Sequence, residues 1–271
     1  MTAESAQTTT EAAALLEIED DVAVITLNRP DRGNAWTSRM QDDYFGALER
    51  CASDPQVRAI VVTGAGRSFC VGADMDLLSQ VAESGVSSSS SSAATHPHTF
   101  ATTIPKPVIA AINGACAGLG LVHAVMCDVR IAAAGAKFTT AFARRGLVAE
   151  HGISWVLPRL VGPANALDLL LSGRIVLAEE AAELGLVNRV VAPEVVLSTA
   201  TGYARELATW SSPRSRATMK RQVYAHLSVD LETALAETNE LMRESFEWGD
   251  LSEGVASYLE TREPHFEPYA G

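Results

Sequence analysis

Several features that mark large classes of proteins are missing from this sequence. The 271 residues carry a net charge of -12 and a sequence pI of about 4.9, which argues against nucleic acid or an anionic membrane surface as the main partner. No run of roughly 18 uncharged apolar residues occurs, so we expect no membrane-spanning helix. An anionic ligand would have to be bound through a local basic patch or through backbone dipoles.

The cysteines and the amino terminus lack the marks of a secreted protein. Four cysteines are scattered along the chain without a C-x-x-C pair, at Cys51, Cys70, Cys116 and Cys127. We expect buried free thiols and a reducing, cytoplasmic compartment. The first residues are small and polar, without a basic segment followed by an apolar core, so residues 1–14 are predicted to be a flexible tail rather than a signal peptide.

What the sequence does contain is an alternation of strand-like and helix-like segments. Residues 15–28 alternate as two strands around an Asp20-Asp21 turn, and residues 57–64 and 107–114 are continuous apolar runs typical of buried strands. Further strand is predicted over residues 129–140. The intervening helical patterns indicate β-α-β units, and hence an α/β fold with a parallel or mixed sheet.

Helix boundaries are predicted from capping patterns. Ser38, followed three residues later by Gln41, predicts the start of the first long helix. Beyond residue 193 the strand signals end, and four helices are predicted, the last opening with Asp250 and Glu253 as a second capping box. These four helices are expected over residues 194–209, 213–227, 230–248 and 250–260. The chain therefore divides into an α/β core at 15–192 and a helical region at 193–271.

A serine-rich stretch at residues 83–100 interrupts this pattern. It contains too little apolar surface to order itself, which predicts a mobile surface loop. A lid that opens and closes beside a functional site is the alternative interpretation.

A glycine-containing turn after the 107–114 strand is the first candidate functional motif. Gly118-Leu119-Gly120 opens a helix, but His123 occupies the third glycine position of a dinucleotide fingerprint, and no lysine follows to bind a phosphate. Free N–H groups at a helix start can instead stabilise an oxygen that becomes negative during a reaction, which is an oxyanion hole. The tight turn permitted by Gly72 would supply a second donor, the amide of Ala73.

Six ordered motifs carry a resemblance that extends over nearly the whole chain. The sequence resembles the crotonase superfamily, the enoyl-CoA hydratase/isomerase family. The motifs are ITLNRPDRGNAW, IVVTGAGRSFCVGADM, KPVIAAINGACAGLGLVHAVMCDVRIAA, AKFTTAFARRGLVAEHGISWVLPRLVG, LLLSGRIVLAEEAAELGLVNRVV and SYLETREPHF.

This resemblance implies a fold, an assembly and a way of binding substrate. The fold would be a crotonase-like spiral of β-β-α turns with a C-terminal helical extension, which forms homotrimers or hexamers. The amides of Ala73 and Leu119 would bind the carbonyl of a coenzyme A thioester and stabilise its enolate. No cofactor would be needed beyond the coenzyme A of the acyl-CoA substrate.

The sequence departs from this family at its acid and base positions. The two glutamates of a typical hydratase fall at Val122 and Phe142, and neither side chain can move a proton. By resemblance to the Δ3,Δ2-enoyl-CoA isomerases, Glu150 takes the position of the catalytic base, which favours a proton shift over hydration. A role in capping the helix that starts near His151 is the alternative for Glu150.

The remaining site predictions concern the substrate. Arg32 is a candidate phosphate ligand, Asp76 is acidic where many relatives have a lysine, and Arg262 is a candidate contributor from a neighbouring subunit. His123, His151, Trp36 and Trp155 are either packing residues or parts of the site, and no H-x-x-x-H pair or carboxylate cluster predicts a metal. The predicted substrate-binding positions are Arg32, Asn34, Ala35, Val71, Gly72, Asp74, Gly118, Val122 and Phe142.

Together these features predict an enoyl-CoA hydratase/isomerase-type enzyme with Glu150 as its acid/base group. Isomerisation is easier to reconcile with one carboxylate than hydration is. Hydrolysis or C–C cleavage of an acyl-CoA is an alternative reaction within the same superfamily. A catalytically silent acyl-CoA-binding protein and, more distantly, a dinucleotide oxidoreductase are the alternatives from other classes.

Overall fold

A computed structural model describes residues 12–84 and 96–269 of the chain. Its strands are β1 (Ala14–Glu19), β2 (Val22–Leu27), β3 (Ala59–Gly64), β4 (Ser68–Cys70), β5 (Val108–Ile112), β6 (Ala115–Ala117), β7 (Val129–Ala133), β8 (Lys137–Thr139), β9 (Val176–Leu177) and β10 (Arg189–Val191). Its helices are α1 (Ser38–Ser53), α2 (Met75–Ser84), α3 (Leu119–Met126), α4 (Ile153–Val161), α5 (Pro163–Ser172), α6 (Ala178–Glu183), α7 (Val196–Trp210), α8 (Pro213–His226), α9 (Leu231–Ser245) and α10 (Gly249–Glu260).

The strands form two sheets that the chain visits in turn. One sheet has the order β1-β2-β3-β5-β7-β10 and is parallel except for the β1–β2 hairpin. The other has the order β4-β6-β8-β9, in which only β9 is antiparallel to its neighbour. Because β3, β5 and β7 are each followed by a strand of the second sheet and then by a helix, the chain advances as repeated β-β-α turns. The predicted α/β spiral is confirmed.

The core lies on both faces of the larger sheet. Every residue of β3 and of β5 is buried, as their continuous apolar sequences predict. Helix α1 packs one face through Met40, Tyr44 and Leu48, and α7 packs against β2, β3, β5 and β7. Its buried side chains include Ala200 and Ala204, which are small enough to allow close approach to the sheet.

The two predicted capping boxes are wrong. Helix α1 is capped by Thr37, whose Oγ1 accepts a hydrogen bond from the Met40 amide at 3.1 Å, so Ser38 is the first helical residue. Helix α10 begins at Gly249 without a side-chain cap. The carboxylate of Asp250 accepts a hydrogen bond from Ser212, and Glu253 pairs with Arg262, so both acids are used in tertiary contacts.

The predicted tail and the predicted lid lie partly outside the described residues. Residues 1–11 are not described, whereas the Ala13 amide donates to Asp43 at 2.7 Å and β1 begins at Ala14. Residues 85–95 of the serine-rich stretch also lie outside the described part. Just after them, the rings of His96 and Phe100 stack with centroids 3.8 Å apart.

The cysteines are buried and free, as predicted. Burial raises the pKa of the Cys70 thiol to about 12, so this side chain is an inert packing group. Across residues 12–84 and 96–269, no helix combines the length and the apolar character needed to cross a bilayer.

Candidate functional site

Two separate turns contribute to the lining of one cleft. The cleft has a volume of about 430 Å³ and lies between the β4–α2 turn, the start of α3 and the segment that follows β8. Ten of the predicted site residues line it: Arg32, Ala35, Val71, Gly72, Ala73, Asp74, Gly118, Leu119, Phe142 and Glu150. The sequence-predicted positions are thus brought together from five parts of the chain.

The first turn is held by backbone contacts on either side of Ala73. The Trp36 amide donates to the Gly72 carbonyl at 2.8 Å, and the Asp74 amide donates to the Trp36 carbonyl at 2.9 Å. Gly72 has a φ of 99° and lies so close to Ala117 that a Cβ would be 3.1 Å from the Ala117 carbonyl oxygen. Within the described residues, the Ala73 amide itself has no acceptor.

The second turn leaves another amide without a partner. Gly118 has a φ of 49°, which a side chain would strain, and its amide donates to the Thr139 carbonyl at 3.0 Å. Helix α3 begins at the next residue, Leu119, whose N–H precedes the first intrahelical bond. It donates to no acceptor in the part of the chain that the structure describes. Two available amides, from Ala73 and Leu119, therefore line the same cleft.

The start of α3 is pressed against β4 at Gly120. A Cβ at this position would lie 2.3 Å from the Cys70 carbonyl oxygen and 2.7 Å from the Cys70 Cβ. Only glycine allows this approach. The close contact between α3 and β4 fixes the position of the Leu119 amide relative to the turn that contains Ala73. Close backbone approach, rather than phosphate binding, is the reason for the second glycine of the motif.

We expect Gly120→Ala to lower the free energy of unfolding by about 1–3 kcal/mol, the usual cost of overpacking a core. Urea denaturation of the variant measures this loss. Gly202→Ala is the matched control, because Gly202 lies in α7 with no atom within 4 Å of its added Cβ. That control should be neutral or slightly stabilising. Equal losses in both variants would show that the contact with β4 is unimportant.

Glu150 lies on the wall of the cleft, in the turn before α4. Its side chain is 32% exposed and its carboxylate Oε2 lies 3.7 Å from His151 Nε2. The residue that caps α4 is Gly152, without a side-chain hydrogen bond, so the carboxylate of Glu150 does not cap this helix. His151 adopts a left-handed conformation with a φ of 52°, which is uncommon for a residue other than glycine.

Behind Glu150 lies a histidine cluster, made of His98, His123 and His151. His98 Nδ1 and His123 Nε2 are 3.1 Å apart, and the ring centroids of His98 and His151 are 4.0 Å apart. Burial lowers the pKa of His98 to about 4 and that of His123 well below its usual value. Burial also lowers the pKa of His151, although the nearby Glu150 partly opposes it. At neutral pH these rings are therefore uncharged.

Sequence reasoning singled out His123 and His151 but missed His98. His98 follows the serine-rich stretch, and nothing in its spacing connects it with the other two rings. The residues of the described ranges contain no group of three or more acidic, cysteine or histidine side chains arranged to hold a metal ion.

Two of the predicted substrate-binding residues, Asn34 and Val122, do not line the cleft, and neither do Trp36 and Trp155. Asn34 is fully buried, and its side chain donates to the carbonyls of Ala65 and Ser68. Val122 is fully buried in the core on α3. Trp36 stacks on His123 with ring centroids 3.9 Å apart. The ring of Trp155 makes a cation–π contact with the guanidinium of Arg159.

The charged groups near the cleft are mostly paired. Arg32 contacts Asp76 at 2.5 Å and Asp74 at 3.3 Å, and Arg29 contacts Asp74 at 3.0 Å. Burial is the largest single influence and acts to raise the pKa of Asp74, but the hydrogen bonds from Arg29 and the Asp76 amide and the charges of Arg29 and Arg32 together lower it. Arg145, which sequence reasoning missed, also lines the cleft and is exposed.

The second basic candidate, Arg262, lies in the helical region and also has acidic partners. It pairs with Glu253 and Glu260, each at 2.6 Å.

Comparisons with known proteins agree on one family. The family model for enoyl-CoA hydratase/isomerase matches residues 17–268. The 1,2-epoxyphenylacetyl-CoA isomerase of Escherichia coli K12 is 34% identical over 93% of this chain and 97% of its own length. A probable enoyl-CoA hydratase/isomerase from Mycobacterium abscessus superposes with a TM-score of 0.87 at 32% identity, covering 94% of this chain and 99% of that one.

A further solved structure is more similar in sequence. An enoyl-CoA hydratase from Mycobacterium marinum is 52% identical, with a TM-score of 0.68, over 79% of this chain and 98% of that one. The spiral of β-β-α turns, the cleft between its loops and these matches lead to one conclusion. The chain belongs to the enoyl-CoA hydratase/isomerase family of the crotonase superfamily.

Proposed function

We propose that this enzyme, which acts on an acyl-CoA as its family does, isomerises an enoyl-CoA through an enolate. The observation that carries the proposal is the meeting of two available amides, from Ala73 and Leu119, with the carboxylate of Glu150 in one cleft. In the Δ3,Δ2 direction, a double bond between the β- and γ-carbons would move to lie between the α- and β-carbons. No cofactor is required beyond the coenzyme A of the substrate.

The two amides would make the α-carbon of the bound thioester acidic enough to lose a proton. A thioester carbonyl oxygen that accepts hydrogen bonds from both N–H groups is stabilised most when it carries the negative charge of the enolate. The donors belong to rigid turns, so they need no reorganisation as the charge develops. Stabilising the enolate lowers the barrier to removing a proton from the α-carbon.

A single carboxylate is sufficient for the proton shift. Glu150 takes a proton from the α-carbon as the enolate forms, and its protonated carboxyl group delivers a proton to the γ-carbon as the enolate collapses. Hydration would need further acid/base help to activate a water molecule. The two positions that supply it in a typical hydratase are occupied here by Val122, which is buried in the core, and by Phe142, which lines the cleft.

A substrate panel tests the proposed reaction directly. The purified protein is assayed with trans-2-enoyl, 3-enoyl and β-keto acyl-CoA thioesters of several chain lengths. The proposal predicts conversion of 3-enoyl-CoA to 2-enoyl-CoA and much slower addition of water to the 2-enoyl thioester. Hydration faster than isomerisation, or cleavage of the β-keto substrate, would assign another reaction of the superfamily. Calorimetric binding of acyl-CoA without any turnover would instead identify a silent acyl-CoA-binding protein.

The ion pairs at the cleft predict how coenzyme A binding can be improved. We expect Asp76→Asn to tighten coenzyme A binding about 2- to 5-fold, the small gain typical of an exposed pair. The substitution releases Arg32 from its exposed partner and removes a carboxylate that repels phosphate. Isothermal titration calorimetry with coenzyme A measures the change. Asp31→Asn removes the same charge from an exposed position next to Arg32 in the chain and should have less effect. Equal effects of both variants would show that net charge, not Arg32, is responsible.

Assembly of the chain as a homotrimer or hexamer stays a prediction from family resemblance. Its physical support is the set of large apolar side chains that α9 and α10 leave exposed, among them Leu231 at 83% and Leu259 at 75%. Such a surface is what a subunit interface of the helical region would cover.

A further inference from the structure

The histidine cluster forms a continuous chain of contacts that begins at the proposed base. Glu150 Oε2 lies 3.7 Å from His151 Nε2, the rings of His151 and His98 have centroids 4.0 Å apart, and His98 Nδ1 lies 3.1 Å from His123 Nε2. Of these four residues only Glu150 lines the cleft. The carboxylate therefore has the substrate cleft on one side and an imidazole on the other.

The cluster is more polar than its packing role requires. His123 is 2% exposed and is stacked on Trp36 and in edge contact with Tyr44, a site where an apolar ring would pack without a desolvation cost. Three imidazoles side by side are costly when charged, and burial keeps them neutral. A neutral imidazole has one protonated and one free nitrogen, so it can accept a proton on one side and release one on the other.

His151 is held in a conformation that favours this contact with Glu150. Its φ of 52° costs energy for a side chain of this size, and such outliers persist where the surrounding structure over-determines them. Gly152 follows with a φ of 82° and lies against Thr99, next to His98. The backbone on both sides thus fixes His151 between Glu150 and His98.

The side chain of His151 is 38% exposed and forms the end of the cluster that reaches water. An acyl chain bound in the cleft would fill the space on the substrate side of Glu150. The route through His151 would then be the remaining path from the carboxyl group to solvent.

We infer that His151, held by His98, is a positioning residue that orients Glu150 and exchanges its proton with solvent during turnover. In this step the protonated Glu150 carboxyl gives its proton to His151 Nε2, which leaves a carboxylate and an imidazolium. The imidazolium releases a proton to water and is returned to the neutral form. The reverse sequence places a solvent proton on Glu150, and that proton is delivered to the γ-carbon. The 3.7 Å separation requires a small side-chain rotation before the transfer, as is common in an enzyme without its substrate.

This inference rests on the proposed isomerase function, and solvent deuterium distinguishes the two. Isomerisation of 3-enoyl-CoA is run in D2O, and mass spectrometry measures whether the proton delivered to the γ-carbon came from the substrate or from solvent. The wild-type product should carry mainly deuterium at the γ-carbon. We expect His151→Asn to increase the retained protium about tenfold or more, with little change in KM, because proton transfer to solvent through a positioned group is lost.

Three histidine variants distinguish loss of proton transfer from loss of the fold. Asparagine tolerates the left-handed backbone at position 151, so the fold should be kept. His98→Gln, which keeps a hydrogen-bonding group beside His123, should raise retention less and provides a second test if the first variant is unstable. His226→Asn is the control, because His226 makes a similar histidine–glutamate contact of 3.1 Å in the helical region.

Two different results would contradict the role of His151 and the proposed isomerase function. Deuterium content that is the same in wild type and in both cluster variants would overturn the role of His151 while leaving Glu150 as the base. Full isomerase activity in Glu150→Gln would overturn the proposed function itself.

Discussion

Replacing Glu150 by glutamine is expected to lower kcat for isomerisation by about 10²- to 10⁴-fold, the contribution of a positioned general base. Glutamine has nearly the same shape and hydrogen-bonding reach, but it cannot accept the proton of the α-carbon. Glu150 lines the cleft together with the amides of Ala73 and Leu119, and the other lining carboxylate, Asp74, is paired with arginines. KM should change little, because in the proposed complex the amides and the apolar wall bind the substrate.

Two further variants make this measurement specific. Glu183→Gln removes an exposed carboxylate from α6, away from the cleft, and should leave kcat unchanged. Glu150→Asp keeps a base but withdraws it by one methylene, so it should retain part of the activity. Wild-type turnover by Glu150→Gln would remove this residue from the mechanism.

The second large effect is expected from Leu119→Pro, which deletes one of the two amide donors. Proline fits the first position of a helix better than any later one, since the N–H there has no intrahelical partner. Removal of one donor from an oxyanion hole costs about 10²- to 10³-fold in kcat, because the enolate loses half of its stabilising hydrogen bonds. Steady-state kinetics with the 3-enoyl substrate provides the measurement.

Leu119→Ala separates the amide from the side chain. It truncates the same residue but keeps its N–H, so kcat should stay within a few-fold of wild type. Circular dichroism and thermal unfolding of both variants exclude loss of the fold. If the alanine variant is as slow as the proline variant, the leucine side chain rather than the amide is what matters.

Much of the fold was predictable because it depends on long, periodic patterns. The apolar runs at residues 57–64 and 107–114 form the buried strands β3 and β5, and the predicted C-terminal helices match α7 to α10 to within a few residues. A strand that is buried on both faces requires an uninterrupted apolar sequence, so the apolar runs alone were enough to predict these strands. The spiral of β-β-α turns, by contrast, came only from family resemblance, and the order of strands in the two sheets was not predicted.

Helix starts were less predictable because several residues compete for each cap. Thr37 and Ser38 are adjacent and chemically equivalent, and the path of the backbone selected Thr37. Asp250 and Glu253 have the spacing of a capping box, yet Ser212 and Arg262 offer them tertiary partners. The spacing of residues in the sequence shows which local caps are possible. It does not show whether a residue distant in the chain will bind the same side chain instead.

The site was predictable where glycine or backbone geometry dictated it. Gly72 and Gly118 adopt positive φ values and flank the two amides named from the sequence. His98 could not be predicted, because it is distant from His123 and His151 in the sequence and contacts them only in the folded chain. Arg145 was missed for the same reason. Asn34 is buried and lies outside the cleft lining, because a structural amide and a ligand-binding amide look alike in sequence.

In the proposed complex, one carbonyl oxygen is bound by two main-chain N–H groups while Glu150 faces the adjacent carbon. A crystal structure with a non-reactive acyl-CoA amide, in which nitrogen replaces the thioester sulfur, measures this directly. We expect the carbonyl oxygen to lie about 2.7–3.1 Å from the nitrogens of both Ala73 and Leu119. We also expect a Glu150 carboxylate oxygen about 3–3.5 Å from the α-carbon. A carbonyl oxygen that contacts only one amide, or an α-carbon out of reach of Glu150, would rule out this arrangement.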